Sequence, residues 1–322
     1  MRIINFITIC LAFMLVCGTA EAQFGVGRAI RRGVEKAAEK KAEEKAAEAT
    51  EKALEKPLSE AEKGINKGAE AASKGLDKAG EAIQRADSAA AADAAAAAAN
   101  EVAIPEVGDA PYTPSADEYG FFAAKTGAVQ VFANKDAKGK VTSQSRNTIT
   151  AITGSKNAYA ISYESELLDA KGKPTNKDNP IVLNYRVVVA DGQLYLDLKG
   201  MFGAVDGLAS VEAHGSVPRI PNDLKVGQKI EDSNAAARVA FINYSANWTE
   251  GKCEAEEEVT TQAGTFNALK VTQKVNSRVM GIRVDGTMNT WYVKGVGSVK
   301  TETIDKNGKV ISSTELVSST GL

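Results

Sequence analysis

Residues 181–198 read IVLNYRVVVADGQLYLDL, and their pattern admits one local structure. Ile181, Leu183, Tyr185, Val187 and Val189 fall at every second position, the period at which side chains of a strand share a face. Asp191-Gly192 supplies a two-residue turn, and Leu194, Leu196 and Leu198 resume the alternation on the return. The stretch predicts a β-hairpin with an apolar face.

The same character extends outward over everything after Tyr119. Leu269, Val271, Val275 and Val279 alternate with Lys270, Thr272, Lys274 and Arg278, and Ile282, Val284 and Met288 resume beyond Gly281. SVKTETIDKNGKVISSTELV reads as a closing hairpin. The short element DAKGK occurs at 136–140 and 169–173, with a near copy, DKNGK, at 305–309. Each copy sits between strand-like segments: its Asp suits the cap of a type I turn, and its Gly suits the left-handed position that lets pairing resume. A calcium loop would need oxygen ligands at alternate positions. A phosphate loop would need more glycines and a following helix. The turn reading is therefore preferred at all three places.

Length then constrains shape. Residues 266–279 would span about 45 Å at roughly 3.3 Å per residue. Strands that long in a domain of this size imply a strongly twisted, curled antiparallel sheet, a half-barrel or open barrel. Aromatic and aliphatic side chains on its concave face would form an apolar pocket, although the sequence assigns no individual residue to it.

Upstream the composition changes. Residues 28–100 are mostly Ala, Lys and Glu, with Pro57 as the sole proline and no aromatic residue, a helical low-complexity pattern. Ile65, Ala69, Ala72, Leu76, Ala79 and Ile83 recur at a 4-3-4-3-4 spacing that places them on one seam. Gly64, Gly68, Gly75 and Gly80 each cost about 0.8–1 kcal/mol relative to Ala. Only Ile65, Leu76 and Ile83 could return about 1.5–3 kcal/mol each, if fully buried. Such a helix is marginal alone: it is either a solvated spacer, or an arm that self-associates or docks on an envelope partner. An alanine run from Ala89 to Ala99, broken by Asp93, continues to Asn100, and Pro105, Gly108, Pro111 and Pro114 then make an extended linker. The expected organisation is a signal peptide at 1–22, a helical arm at 23–104 with a break near Pro57, a Pro-rich linker at 105–118, and an antiparallel β-domain at 119–322. Asp87-Ser88-Ala89 matches a short bacterial O-glycosylation acceptor pattern, against the plainer reading of exposed helix surface.

MRIINFITICLAFMLVCGTAEAQF at the start has a basic residue, an apolar run and small residues, the form of a secretory signal with cleavage expected between Ala22 and Gln23. Lipidation of Cys17 is disfavoured because Val16 replaces the small residue that usually precedes a lipidated cysteine. Cleavage would leave Cys253 as the lone thiol, read as a small buried hydrophobe. No later segment is apolar for the roughly 20 residues of a membrane-spanning helix. The formal net charge is −2. Residues 23–110 carry 14 Lys/Arg against 17 Asp/Glu, and residues 111–322 carry 24 against 23. Neither part has the basic bias of a nucleic-acid or anionic-membrane binder.

Catalytic candidates are sparse. His214 is the single histidine and sits in VEAHGSVPRIP, read as a loop, with no Gly-x-Ser-x-Gly motif in the chain. Histidine-based zinc sites lack ligands, and no cofactor motif is present. Glu254, Glu256 and Glu258 would share a strand face, open to a hard cation. The preferred reading is a cross-strand charge ladder with Lys270, Lys274 and Arg278. Trp248, Trp291 and Tyr292 are expected to cover the sheet rather than to stack on a sugar or base.

FFAAKTGAVQVF, PNDLKVGQ, QAGTFNALKV and TWYVKGVGSVKTE with the final DKNGKV resemble, in order, the recurrent elements of the exported bacterial DUF3108-like family, also labelled TapB-like. The match rests on Gly127, Val226-Gly227-Gln228, Ala263-Gly264-Thr265-Phe266, Trp291-Tyr292 with Gly295 and Gly297, and Gly308-Lys309, and covers about residues 119–318. Gln262 stands where the family often has Pro. The resemblance implies an exported all-β envelope protein of the Gram-negative periplasm, cell envelope or exterior, with no catalytic residues to transfer. Its architecture is similar in kind to half-barrel lipoprotein carriers. The resulting expectation is a noncatalytic protein that binds an apolar or lipid-like, amphipathic ligand on its concave face. The alternative is a scaffold acting through homo-oligomerisation or partner docking of the helical arm.

Overall fold

The computed structural model of the chain describes residues 88–175, 182–197, 211–239, 242–279 and 282–322. Among them, thirteen strands form one antiparallel sheet. The first five are β1 (Val129–Asp136), β2 (Val141–Ser155), β3 (Ala158–Asp169), β4 (Val182–Ala190) and β5 (Gln193–Leu196). Next come β6 (Val211–Gly215), β7 (Lys229–Ile230), β8 (Ser233–Val239) and β9 (Ile242–Thr261). The chain finishes with β10 (Gly264–Val279), β11 (Ile282–Val293), β12 (Gly297–Ile304) and β13 (Val310–Thr320). Their order is β5-β4-β3-β2-β1-β13-β12-β11-β10-β9-β8-β6, with β7 added beside β9. Two up-and-down runs are thus joined where β1 pairs with β13.

The hairpin expected at 181–198 is present as β4 and β5. Its turn residues Asp191 and Gly192 have φ of 52° and 70°, the two positive values that match the twist of a two-residue hairpin. The three Asp-x-x-Gly-Lys elements share one construction. Asp136 Oδ1 accepts from the backbone N–H groups of Lys138 and Lys140 at 2.9 and 3.0 Å. Asp169 does the same with Lys171 and Lys173 at 2.8 and 3.0 Å, and Asp305 with Asn307 and Lys309 at 2.8 and 2.9 Å. Gly139, Gly172 and Gly308 take φ of 75°, 76° and 80°. They are one turn used three times.

The strands are long, 20 residues in β9, 16 in β10 and 15 in β2, and the sheet curls as their length requires. Its main core brings Ile149, Tyr163 and Val187, from β2–β4, into one cluster with Ala213, Trp248, Val275 and Met288 from β6 and β9–β11. These strands lie toward opposite ends of the strand order, so the sheet is folded over on itself. The edges β5 and β6 are not paired with each other, and the barrel stays open. Phe121, Phe122, Ala123 and Ala124, all buried, enter the interior from the segment before β1.

Two irregularities in the β9–β10 ladder change what the charged residues meet. The register slips where Lys270 faces Ala255 but Val271 faces Cys253, leaving Glu254 as the extra residue, and again near Glu250, whose φ is 55°. A bulge of this kind inverts the alternation beyond it. The expected ladder of Glu254, Glu256 and Glu258 is therefore corrected: Glu256 faces Leu269 and Glu258 faces Asn267. Lys270 meets Glu257 at 3.5 Å and Lys274 meets Glu250 at 2.6 Å. Arg278 pairs with Asp93, outside the sheet.

That last pair belongs to a strap. Residues 88–99 are helical, and Asn100 closes the helix, its Nδ2 donating to Ala96 O at 3.2 Å. Asp93 accepts from Arg278 and from Ser245 Oγ, both at 2.6 Å. Ala97 is buried beside Gly215, where a Cβ would come within 2.1 Å of Asn234 O and 3.1 Å of Ala97 Cβ. Only glycine permits this approach. The strap then runs from the β6 side of the sheet to the β4–β5 side, where Val107 packs on Ala160, Val188 and Ala190. Tyr112 N donates to Ile152 O at 3.0 Å. Beyond it Glu118 accepts from Tyr112 OH and Ser115 Oγ, bonds that hold its carboxyl down to about 2, the Ser115 contact contributing most.

Candidate functional site: a mixed cavity inside the curled sheet

The concave face is not completely filled. A cavity of about 230 Å³ remains inside the curl. One wall is apolar, built from Phe121 and Phe122 of the inserted segment, Tyr185 and Val187 of β4, Leu196 of β5 and Val217 after β6. Tyr163 and Tyr185 stack with ring centroids 4.9 Å apart and planes 5° from parallel. Tyr292 meets Phe121 edge-on at 6.2 Å.

The other wall is polar and follows the sheet register. Gln130 of β1 faces Asn147 of β2, which faces Ser165 of β3. A second row lines the wall with Thr314 of β13, Thr301 of β12 and Thr290 of β11, and Asn134 of β1, outside the lining, pairs with Thr314. Within the rows Ser165 Oγ donates to Asn147 Oδ1 at 2.7 Å, Gln130 Nε2 to Val296 O at 2.9 Å and Thr314 Oγ1 to Asn134 Oδ1 at 2.8 Å. Uncharged pairs of this kind satisfy one another across strands and remain available to a small polar group. Among the described residues, no Asp, Glu, Lys, Arg or His lines the cavity. Burial pushes the Tyr163 phenol well above its ordinary value, raises Tyr185 in the same direction, and takes Tyr292 to about 12. All three stay neutral.

A second hollow of about 210 Å³ lies under the strap, between residues 101–104 on one side and the β5 and β6 edges on the other. Leu196 and Val217 line both hollows. The strap covers the gap between the unpaired edges, and only those two side chains are common to the spaces on either side.

The residues singled out from the sequence are dispersed. Ala22, Gln23 and the seam Ile65, Ala69, Ala72, Leu76, Ala79 and Ile83 lie outside the described residues. His214 is on strand β6 rather than in a loop, and its Nδ1 lies 3.7 Å from Glu101 Oε2, with no Ser or Cys hydrogen-bonded to it. The strand assignment was hidden by the glycine and proline that follow. Cys253 is completely buried, and burial, with Glu254 and Glu256 nearby, raises its thiol. Trp248 is enclosed in the main core. Trp291 turns to the other face, its ring between Lys270 and Lys300, each 5.1 Å away, with Nε1 donating to Glu257 at 2.7 Å. Tyr292 alone of the three aromatics lines the cavity. No group of three or more His, Cys, Asp or Glu is placed to hold a metal among the described residues.

Sequence reasoning missed the polar rows. Their signal is VTSQSRNT at 141–148, the first half of β2, where after Val141 both alternating sets are polar. A strand paired on both sides with no apolar face must put polar groups inside.

The sequence model of the DUF3108-like family matches residues 125–316. No curated protein matches the chain. Two solved structures share its fold. One is a Bacteroides fragilis protein assigned to export, with a YmcC-like fold, 17% identical at a TM-score of 0.52. The alignment covers 62% of this chain and 99% of that one. The other is a Parabacteroides distasonis protein assigned as a lipoprotein, 20% identical at a TM-score of 0.51, over 62% of this chain and 98% of that one. No helix among the described residues is long and apolar enough to cross a membrane.

Proposed function

The chain belongs to the DUF3108-like family, and from that premise we propose that it is an exported, noncatalytic envelope protein that holds an apolar or amphipathic ligand in the curled sheet. The observation that carries this reading is the cavity with an aromatic and aliphatic wall in the concave face, left open although Phe121 and Phe122 already enter it. Concave, mostly apolar, largely preformed spaces with a few convergent polar groups are the usual form of a small-molecule site. Its volume lies below the roughly 300–1,000 Å³ of drug-sized pockets, which suits a short or medium chain rather than a whole two-chain lipid.

Catalysis is not part of the proposal. Among the described residues the cavity wall presents hydroxyls and amides but no base to activate them, and His214 sits outside it. Export is supported by the N-terminal signal pattern and by the assignments of the two similar structures; a periplasmic location is the compartment proposed.

Binding is tested with the neutral fluorophore N-phenylnaphthylamine. Saturable enhancement is expected with the unaltered protein and not with Val187→Trp, which fills the cavity. Equal enhancement by the two proteins would place the dye elsewhere and remove the reading.

A further inference from the structure

The chemistry of the two walls narrows the ligand. We propose that the cavity selects an uncharged amphiphile: a single acyl or alkyl chain of medium length bearing a neutral polyol head, with the head on Gln130, Asn147 and Ser165 and the chain against Phe122, Tyr185 and Leu196. This rests on the reading that the cavity binds a ligand.

Two observations carry it. The described lining holds no ionic side chain, so a carboxylate, phosphate or ammonium taken inside would be desolvated without a counter-charge, a heavier cost than burying a hydrogen-bonded neutral group. The neutral phenols of Tyr163, Tyr185 and Tyr292 supply none either. The second observation is the row itself. Gln130, Asn147 and Ser165 are aligned directly across three strands, and Gln130 and Ser165 are buried at 6% and 7% exposure. Asn147 Oδ1 is taken by Ser165, so the donors that Asn147 can offer a ligand are its amide N–H groups. A hydroxyl both donates and accepts, and so fits a row that offers both. A purely apolar occupant would leave the remaining hydrogen-bonding capacity of the row unused, a smaller cost than the missing counter-charge imposes on a soap but one that still favours a hydroxylated head over an alkane.

The experiment is isothermal titration of the exported full-length protein at neutral pH with monooctanoylglycerol, octanoate and octylammonium, three probes with the same chain. Monooctanoylglycerol is expected to bind at least about ten-fold more tightly than either ion. Asn147→Leu should lower its affinity about five-fold or more, with an unchanged circular dichroism spectrum and urea midpoint as the check that the variant is folded. Should Asn147→Leu fail to fold, Ser165→Ala reads the same row. Octanoate or octylammonium binding as tightly as the glyceride, with the dye still bound, overturns the ligand class and leaves the cavity reading standing. Glyceride affinity unchanged in a folded Asn147→Leu protein overturns the role of the row. Failure of all three probes and of the dye overturns both readings together.

Discussion

Asn134 of β1 and Thr314 of β13 lie directly opposite each other, with Thr314 Oγ1 donating to Asn134 Oδ1 at 2.8 Å in a position where Asn134 is wholly buried. This pair joins the first strand in chain order to the last, at the middle of the sheet. The remaining amide group of Asn134 donates to Ser143 Oγ on β2 at 3.1 Å, so one side chain ties three strands at the junction of the two runs.

Replacing it tests that junction. Asn134→Ala removes both bonds and leaves Thr314 with a donor facing a void. The expected loss of stability is about 1–3 kcal/mol, read as a lower urea midpoint with an unchanged slope. Thr142→Ala, on a partly exposed side chain whose hydroxyl bonds only to Asn134 O, should cost less.

The strap is expected to detach locally rather than to unfold the sheet. An alanine-rich helical segment such as 88–99 is marginal without tertiary contacts, and Asp93 supplies its polar anchor. Arg278→Ala should leave global stability within about 1 kcal/mol, as for other partly exposed ion pairs. It should greatly accelerate amide hydrogen exchange over residues 88–100. Exchange there as slow as in the unaltered protein would show that the alanine face alone holds the helix.

Acid should weaken the repeated turns. Backbone N–H groups of Lys173 and Lys171 lower the Asp169 carboxyl below its ordinary value, and those of Lys309 and Asn307 lower Asp305. A depressed folded value means that the contribution is complete above the unfolded carboxylate value, near 4. It is lost as pH falls from there through the lower folded value. The double variant Asp169→Asn, Asp305→Asn should therefore lose less stability than the unaltered protein between pH 6 and pH 2.5, measured by urea titration at each pH. Glu118, held at about 2, adds to the loss in both proteins and does not affect the difference.

The Ala/Lys/Glu-rich segment upstream of the strap, outside the described residues, carries its own expectation. A peptide of residues 60–100 should gain helicity with concentration if the Ile65–Ile83 seam associates, and Leu76→Asp should abolish the gain. Analytical ultracentrifugation of the exported chain with and without the arm checks the same point in the protein; an unchanged mass would reduce the arm to a spacer.

Much of the β architecture was legible because its signals are local. The alternation of Leu183, Tyr185, Val187 and Val189 needs only neighbouring residues, and Asp191-Gly192 names its own turn. The Glu–Lys ladder was legible in kind but not in partner, because the bulges at Glu254 and Glu250 move the register and leave no mark in composition. The lone Asp93 in an alanine run was visible as an anomaly. Its meaning lay in Arg278, 185 residues away, and no period within the arm points there. The cavity shares that difficulty: Gln130, Asn147 and Ser165 look like solvent-facing strand positions until curling turns their face inward.

The central claim is that the cavity is occupied in the cell, and native mass spectrometry of the protein recovered without detergent from an envelope fraction tests it most directly. The account predicts a discrete adduct on the unaltered protein, extractable into organic solvent, uncharged and single-chained, and missing from Val187→Trp prepared in the same way. An unaltered protein recovered at its bare polypeptide mass, or carrying the same adduct as Val187→Trp, would contradict it.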